Sequence, residues 1–77
     1  MRDTEAKMDR ALLVRVGTAL FGEQWISPLA KLVGMRTRSM ERMASGDADV
    51  PDMRATLAEH CEARANELLD LARKLRG

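Results

Sequence analysis

No glycine or proline interrupts residues 52 to 76. With Pro51 able to open a helix and Asp52 suited to its first turn, this stretch reads as one continuous helix over about 51–76, roughly 37 Å long at a rise of 1.5 Å per residue. A rod of that length in a chain of 77 residues needs something to pack on, and what remains is small. Cores of this size are marginal alone and commonly gain stability from a disulfide, a metal or a second chain. The single cysteine, Cys61, excludes an intrachain disulfide, and Cys61 with the single histidine, His60, is too few ligands for a structural zinc site. Helix formation and self-association are left as the stabilisers. Aromatic residues make up only 3% of the chain while alanine, leucine, methionine, arginine and glutamate dominate, which favours helix over strand. The expectation is a single all-α domain of about four helices.

The remaining glycines and prolines divide the chain. From about Thr4 to Phe21 the pattern is helical, with Met8, Leu12, Val16, Ala19 and Leu20 at spacings of three and four and Arg10 and Arg15 off that face. Gly17 weakens this helix slightly and Gly22 ends it. Ser27 is placed to cap a second helix with Pro28 at its first position, running to Val33 before Gly34. Thr37 is placed to cap a third, ending at Ser45-Gly46. Trp25 is expected as a core anchor between the first and last helices.

Net charge is only +1, so general polyanion binding is not implied. The local distribution is different. Lys31, Arg36, Arg38 and Arg42 face only Glu41 in their stretch, and Asp47, Asp49 and Asp52 follow at once. A compact basic patch beside an acidic loop points to a local anion-binding surface. The three aspartates read as loop solvation and helix capping, since they miss the calcium-loop template. No nucleophile–base pair and no phosphate-cradling glycine loop is visible, so neither an enzyme nor a cofactor or metal site is expected. No segment approaches membrane-spanning length and no signal peptide is visible. The lone cysteine fits a reducing cytoplasm.

In a 20-residue window starting at Ile26, Ala30 stands fifth, Gly34 ninth, and Leu29, Val33, Met35, Met40 and Met43 fourth, eighth, tenth, fifteenth and eighteenth. This resembles the helix-turn-helix of the phage-repressor-like family of Cro and lambda-repressor type, over about residues 26–46. In that family the fifth place is small because two helices cross there, the ninth tolerates positive φ, and the five apolar places share a core; all seven places match. The physical logic is independent of the family: a small residue lets two helices pack closely, glycine turns the chain, and the outer face of the second helix is free to enter a groove.

The resemblance implies base contacts through Arg36, Thr37, Arg38, Ser39 and Arg42. Arginine suits such a role because its planar fork can bond guanine O6 and N7 together. Phosphate contacts are implied for Ser27, with Gln24, Lys31 and the Trp25 indole N–H as further candidates. Many family members carry a phosphate-gripping glutamine in the first place; Ile26 stands there, and Gln24 is the substitute.

In the last helix, Cys61, Arg64, Leu68, Leu71 and Leu75 recur at spacings of three and four, as a coiled-coil seam does, with Leu57 and Ala65 widening the stripe. The part nearest Pro51 is expected to cover the helix-turn-helix core, and the distal leucines to meet a partner chain. The combined expectation is a homodimeric, sequence-specific regulator of double-stranded DNA, a bacterial or phage repressor on a palindromic operator, without a small-molecule effector. The alternative is a helical protein-interaction module, antitoxin-like or an adaptor, that uses the same scaffold without reading bases.

Overall fold

The computed structural model describes residues 7–77. Four α-helices follow in order: α1 (Arg10–Phe21), then a short 3-10 turn (Gly22–Gln24), α2 (Ile26–Leu32), α3 (Thr37–Ser45) and the long α4 (Arg54–Arg76). Among the described residues, strand-like pairing is confined to an isolated antiparallel bridge between Lys7 and Pro51. The domain is all-α, and its last helix is continuous.

Three of the four helices begin later or earlier than local signals suggest, each for a backbone reason. α1 starts at Arg10, not near Thr4; residues 4–6 lie outside the described part. Lys7 and Met8 are engaged elsewhere, since the Met8 N–H donates to the Val50 carbonyl at 3.0 Å. Asp9 then caps the helix, its carboxylate accepting the Ala11 N–H at 3.0 Å. Ser27 does not cap α2. Trp25 is already in the right-handed helical region after the 3-10 turn, and its carbonyl takes the first helical bond, from Leu29 N–H at 2.9 Å. Pro28 therefore sits third in α2, where its missing N–H still falls among the donors with no partner inside the helix. At the last helix, Pro51 is held in the bridge to Lys7, so α4 opens at Arg54 and not at Pro51.

The core draws one wholly enclosed large side chain from each of three helices: Leu13 of α1, Leu29 of α2 and Met40 of α3. Each such burial is worth on the order of 1.5–3 kcal/mol, so these three are the main tie between α1 and the α2–α3 pair. Met8, Leu20, Trp25, Ala30, Met43, Val50 and Leu57 complete the core, and no charged or polar residue is buried among the described residues. The inward face of α1 is Leu13, Gly17 and Leu20, not the row through Leu12 and Ala19; both of those are exposed, and Val16 is half-buried. The cause is Trp25. Its ring lies directly over Gly17, so close that a Cβ on residue 17 would overlap it. Gly17 is thus the seat of the aromatic anchor. That anchor stands against α1, one of the two helices between which it is expected, and shares the core with Leu57 of α4.

α4 packs mainly on α1, not across α2 and α3. Leu57 is its buried residue, with Met53 and Cys61 half-buried beside it. The acidic loop before α4 is satisfied piecewise. Asp47 accepts the Ser45 hydroxyl at 3.2 Å, Asp49 pairs with Lys7 at 3.2 Å, and Asp52 takes both the N–H (3.1 Å) and the guanidinium (2.8 and 2.9 Å) of Arg54. The side-chain bonds from Arg54, then its backbone N–H, pull the Asp52 carboxyl from the ordinary 3.8 down to about 2.

Two measurements test this. Gly17→Ala would ordinarily strengthen a helix interior by up to about 1 kcal/mol; here it should destabilise, by about 1–3 kcal/mol, because the Trp25 ring must move. Urea unfolding that showed the variant as stable as wild type would refute the seat. Because the folded pKa of Asp52 lies below its unfolded value, its contribution is complete above about pH 4 and is lost as the pH falls toward 2. NMR titration should find the carboxyl near 2, and Arg54→Ala should return it to the usual range; an unshifted wild-type value would refute the Asp52–Arg54 pair.

Candidate nucleic-acid interface

The α2–turn–α3 unit is built as its spacing implies. Ala30 is wholly enclosed where the two helices meet, and its carbonyl accepts the Met35 N–H at 2.8 Å, closing the turn. Gly34 has φ +73 with nothing within 4 Å of the position its Cβ would take. Glycine is needed there for backbone geometry, not for space. Leu29, Met40 and Met43 are buried, and Val33 and Met35 are half-buried against them. The five apolar places do share one core.

With Met40 and Met43 turned inward, helix geometry sets the outward row of α3. At about 100° per residue, Arg38 and Arg42 lie opposite the two methionines, and Ser45 extends that row. Arg38, Ser39 and Arg42 are exposed. Arg36 precedes the helix as its N-cap residue in extended conformation, with no side-chain cap bond, and Thr37 is the first helical residue instead of the cap. The Thr37 hydroxyl lies 3.4 Å from that of Ser27. The two hydroxyls expected to start two different helices thus stand together at the junction of α2 and α3. Lys31 is exposed in the last turn of α2. Among the described residues, none of Lys31, Arg36, Arg38 and Arg42 is paired with a carboxylate.

One assignment changes. Trp25 is only 6% exposed, so its ring serves the core and is withdrawn from the phosphate contacts. Gln24 and Ser27 are exposed and near each other, but they line a shallow hollow with Ile26 and Thr37 that Glu23 and Glu41 also border. These two carboxylates disfavour an anion there, and the sequence alone does not single them out for it. Glu41 was legible as a neighbour, one turn after Thr37; Glu23 was not, because the 3-10 turn that brings it there has no sequence signal.

The five seam residues of α4 also separate. Cys61 is half-buried against the chain's own core. The Arg64 guanidinium donates to the Leu20 carbonyl at 3.0 Å, filling one of the acceptors left open at the end of α1. Both are therefore engaged within the chain. Leu68 (56%), Leu71 (47%) and Leu75 (87%) are exposed, and Leu69, which spacing alone did not select, is exposed with them. No helix among the described residues is long and apolar enough to cross a membrane.

No family model, no curated protein and no solved structure matches this chain. The functional reading therefore rests on residues and geometry.

The turn makes separable demands. Gly34→Val should cost about 1–2 kcal/mol, the order of the left-handed penalty for a residue with Cβ, while Gly34→Asn should retain most of the stability because asparagine tolerates that region. Ala30→Leu should cost about 1–3 kcal/mol by overpacking the crossing. Denaturant midpoints equal to wild type for Gly34→Val and Ala30→Leu would show that this is not a tight helix pair.

Proposed function

We propose that this chain is a sequence-specific, double-stranded DNA-binding regulator of bacterial or phage type that acts as a dimeric repressor through a helix-turn-helix. One observation carries the reading. The face of α3 opposite Met40 and Met43 presents Arg38 and Arg42 one turn apart, uncovered by the rest of the chain, with Arg36 at the helix start. An α-helix fits the major groove, and two exposed guanidinium groups on its outer row have the geometry that reads guanine edges. Lys31, on the neighbouring helix, can meet a phosphate but hardly a base. The resemblance of residues 26–46 to phage-repressor-like proteins supports the same assignment.

A two-fold dimer would set two such helices in successive major grooves about 34 Å apart on a palindromic operator. Occupying the site is enough for repression, since steric exclusion of other proteins needs no further surface. The exposed leucines of α4 fit the dimer, and they equally fit an interaction module that binds a helical partner and no DNA.

Alanine variants separate reading from holding. Arg38→Ala and Arg42→Ala should each cost about 1–3 kcal/mol on the selected operator and much less on scrambled duplex. Lys31→Ala should weaken both alike and reduce the salt slope by about one. Salt titrations on duplexes selected from a random pool decide. Equal losses on both duplexes for the two arginines would move base reading to Arg36, Thr37 and Ser39; absence of duplex binding by wild type at low salt would leave the interaction module.

A further inference from the structure

The distal half of α4 carries an apolar face that the chain does not cover, and its charges indicate what does. Leu68 stands eleven residues after Leu57, three turns and about 20° away, so the distal leucines continue the side of α4 that packs on α1. Arg64, bonded to Leu20, marks the last turn held to the body in this way. Beyond it, about 18 Å of helix projects at 1.5 Å per residue. Along this segment Leu68, Leu71 and Leu75 form the seam. Glu67 and Lys74 lie on one flank of it, and Ala65 and Ala72 on the other.

We infer that a second copy of this chain lies antiparallel along this face, with Leu68 against Leu71 of the partner subunit and Glu67 paired with Lys74 of the partner subunit, each contact occurring twice about the two-fold axis. The inference rests on the dimeric half of the reading above and adds its direction and register. The charge pattern decides the direction. In a parallel pair, each flank meets the opposite flank of its partner, so Glu67 would face Ala72 of the partner subunit and no ion pair would form. In an antiparallel pair, like flanks meet. Both acid–base pairs then form on one side, while small alanines on the other side let the helices approach.

The register follows from the leucines. With Leu68 opposite Leu71 of the partner subunit, Leu75 of the partner subunit falls level with Arg64. Beside Arg64 a mainly apolar groove opens between the end of α1, the end of α2 and α4, lined by Leu20, Phe21, Leu32 and His60, with Arg64 and Glu67 along its α4 side. Among the described residues Leu75 is the most exposed large hydrophobic one at 87%, and Leu32 at the groove is itself 37% exposed. The antiparallel register brings these surfaces together, and a parallel one leaves both in water. Lys74 already bonds Asp70 of its own chain at 3.4 Å, an exposed pair that leaves the ammonium free to bridge to Glu67 of the partner subunit.

The test uses the full chain with Cys61→Ala, so that introduced thiols are alone. An equal mixture of Glu67→Cys and Lys74→Cys chains should oxidise to a disulfide-linked heterodimer in higher yield than either alone. Leu75→Cys by itself should not cross-link, because the two positions stand eleven residues, about 16 Å, apart along the antiparallel pair. Glu67→Lys and Lys74→Glu should each weaken dimerisation about ten-fold, from two exposed pairs reversed, and mixing them should restore it; circular dichroism checks that each keeps its helices. Ready Leu75→Cys cross-linking, or dimerisation indifferent to both charge reversals, would overturn the antiparallel pairing and leave a dimeric regulator standing. A wild-type monomer at tens of micromolar by sedimentation, the order expected for a functional dimer, would overturn the pairing and the dimer together, while the duplex titrations would still judge DNA binding.

Discussion

The Trp25 ring occupies the space that a side chain on Gly17 would need, and the placement of α2 and α3 depends on that contact. Gly22 turns the chain at φ +80, the 3-10 turn carries it round, and Trp25 arrives against α1 one residue before α2 begins. Because Trp25 is both the aromatic anchor and the N-cap residue of α2, seating the ring also sets the direction in which α2 leaves. Leu29 and Ala30 then meet the core one turn later, Gly34 reverses the chain, and α3 can only lie with its methionines inward and Arg38 and Arg42 outward. That contact thus bears on where the arginines point. Overpacking at Gly17 would cost stability and would also tilt the cationic face.

The parts of this arrangement that were legible in the sequence are those encoded by single residues at fixed spacing. Ala30, Gly34 and the five apolar places required nothing beyond their own order, since helix crossing and left-handed backbone are local demands. The helix starts were less legible because each competes with a partner distant in the chain. Ser27 and Thr37 are good caps in isolation, yet the chain enters α2 from a 3-10 turn and α3 from an extended Arg36, and the two hydroxyls meet each other instead. Lys7, Met8, Val50 and Pro51 pair across more than forty residues, and that pairing delays both α1 and α4. Of the row expected on α1, Met8 and Leu20 are buried and Val16 is half-buried; Leu12 and Leu13 are equally apolar, and the Trp25 ring over Gly17 selects Leu13.

Polar groups are used with the same economy. Arg10 donates to the Ala44 carbonyl at 2.7 Å and Arg64 to the Leu20 carbonyl. Each thereby closes the end of one helix from the side of another, and each adds a charged donor where open acceptors would otherwise face water. The three aspartates of the loop are spent on Ser45, Lys7 and Arg54. The cations of α2 and α3 have no such partner among the described residues. In a chain of net charge +1, that division matters: the arginines that pin helices together are different residues from those that α3 leaves without a carboxylate.

The size of the core links the two ends of the molecule. Ten buried hydrophobic residues hold the described domain, and small cores leave little surplus stability. Leu68, Leu71 and Leu75 of α4 remain in water while the helix's only buried residue is Leu57, so covering them is a large hydrophobic gain still open to the described domain. Association that covers them would stabilise the fold by mass action, in proportion to the logarithm of concentration. It would also couple folding, dimer formation and the pairing of two α3 helices in one equilibrium. As the proposed regulator, the chain would respond to its own abundance: below the dimerisation range it would present one α3 helix, and above that range two would bind as a unit.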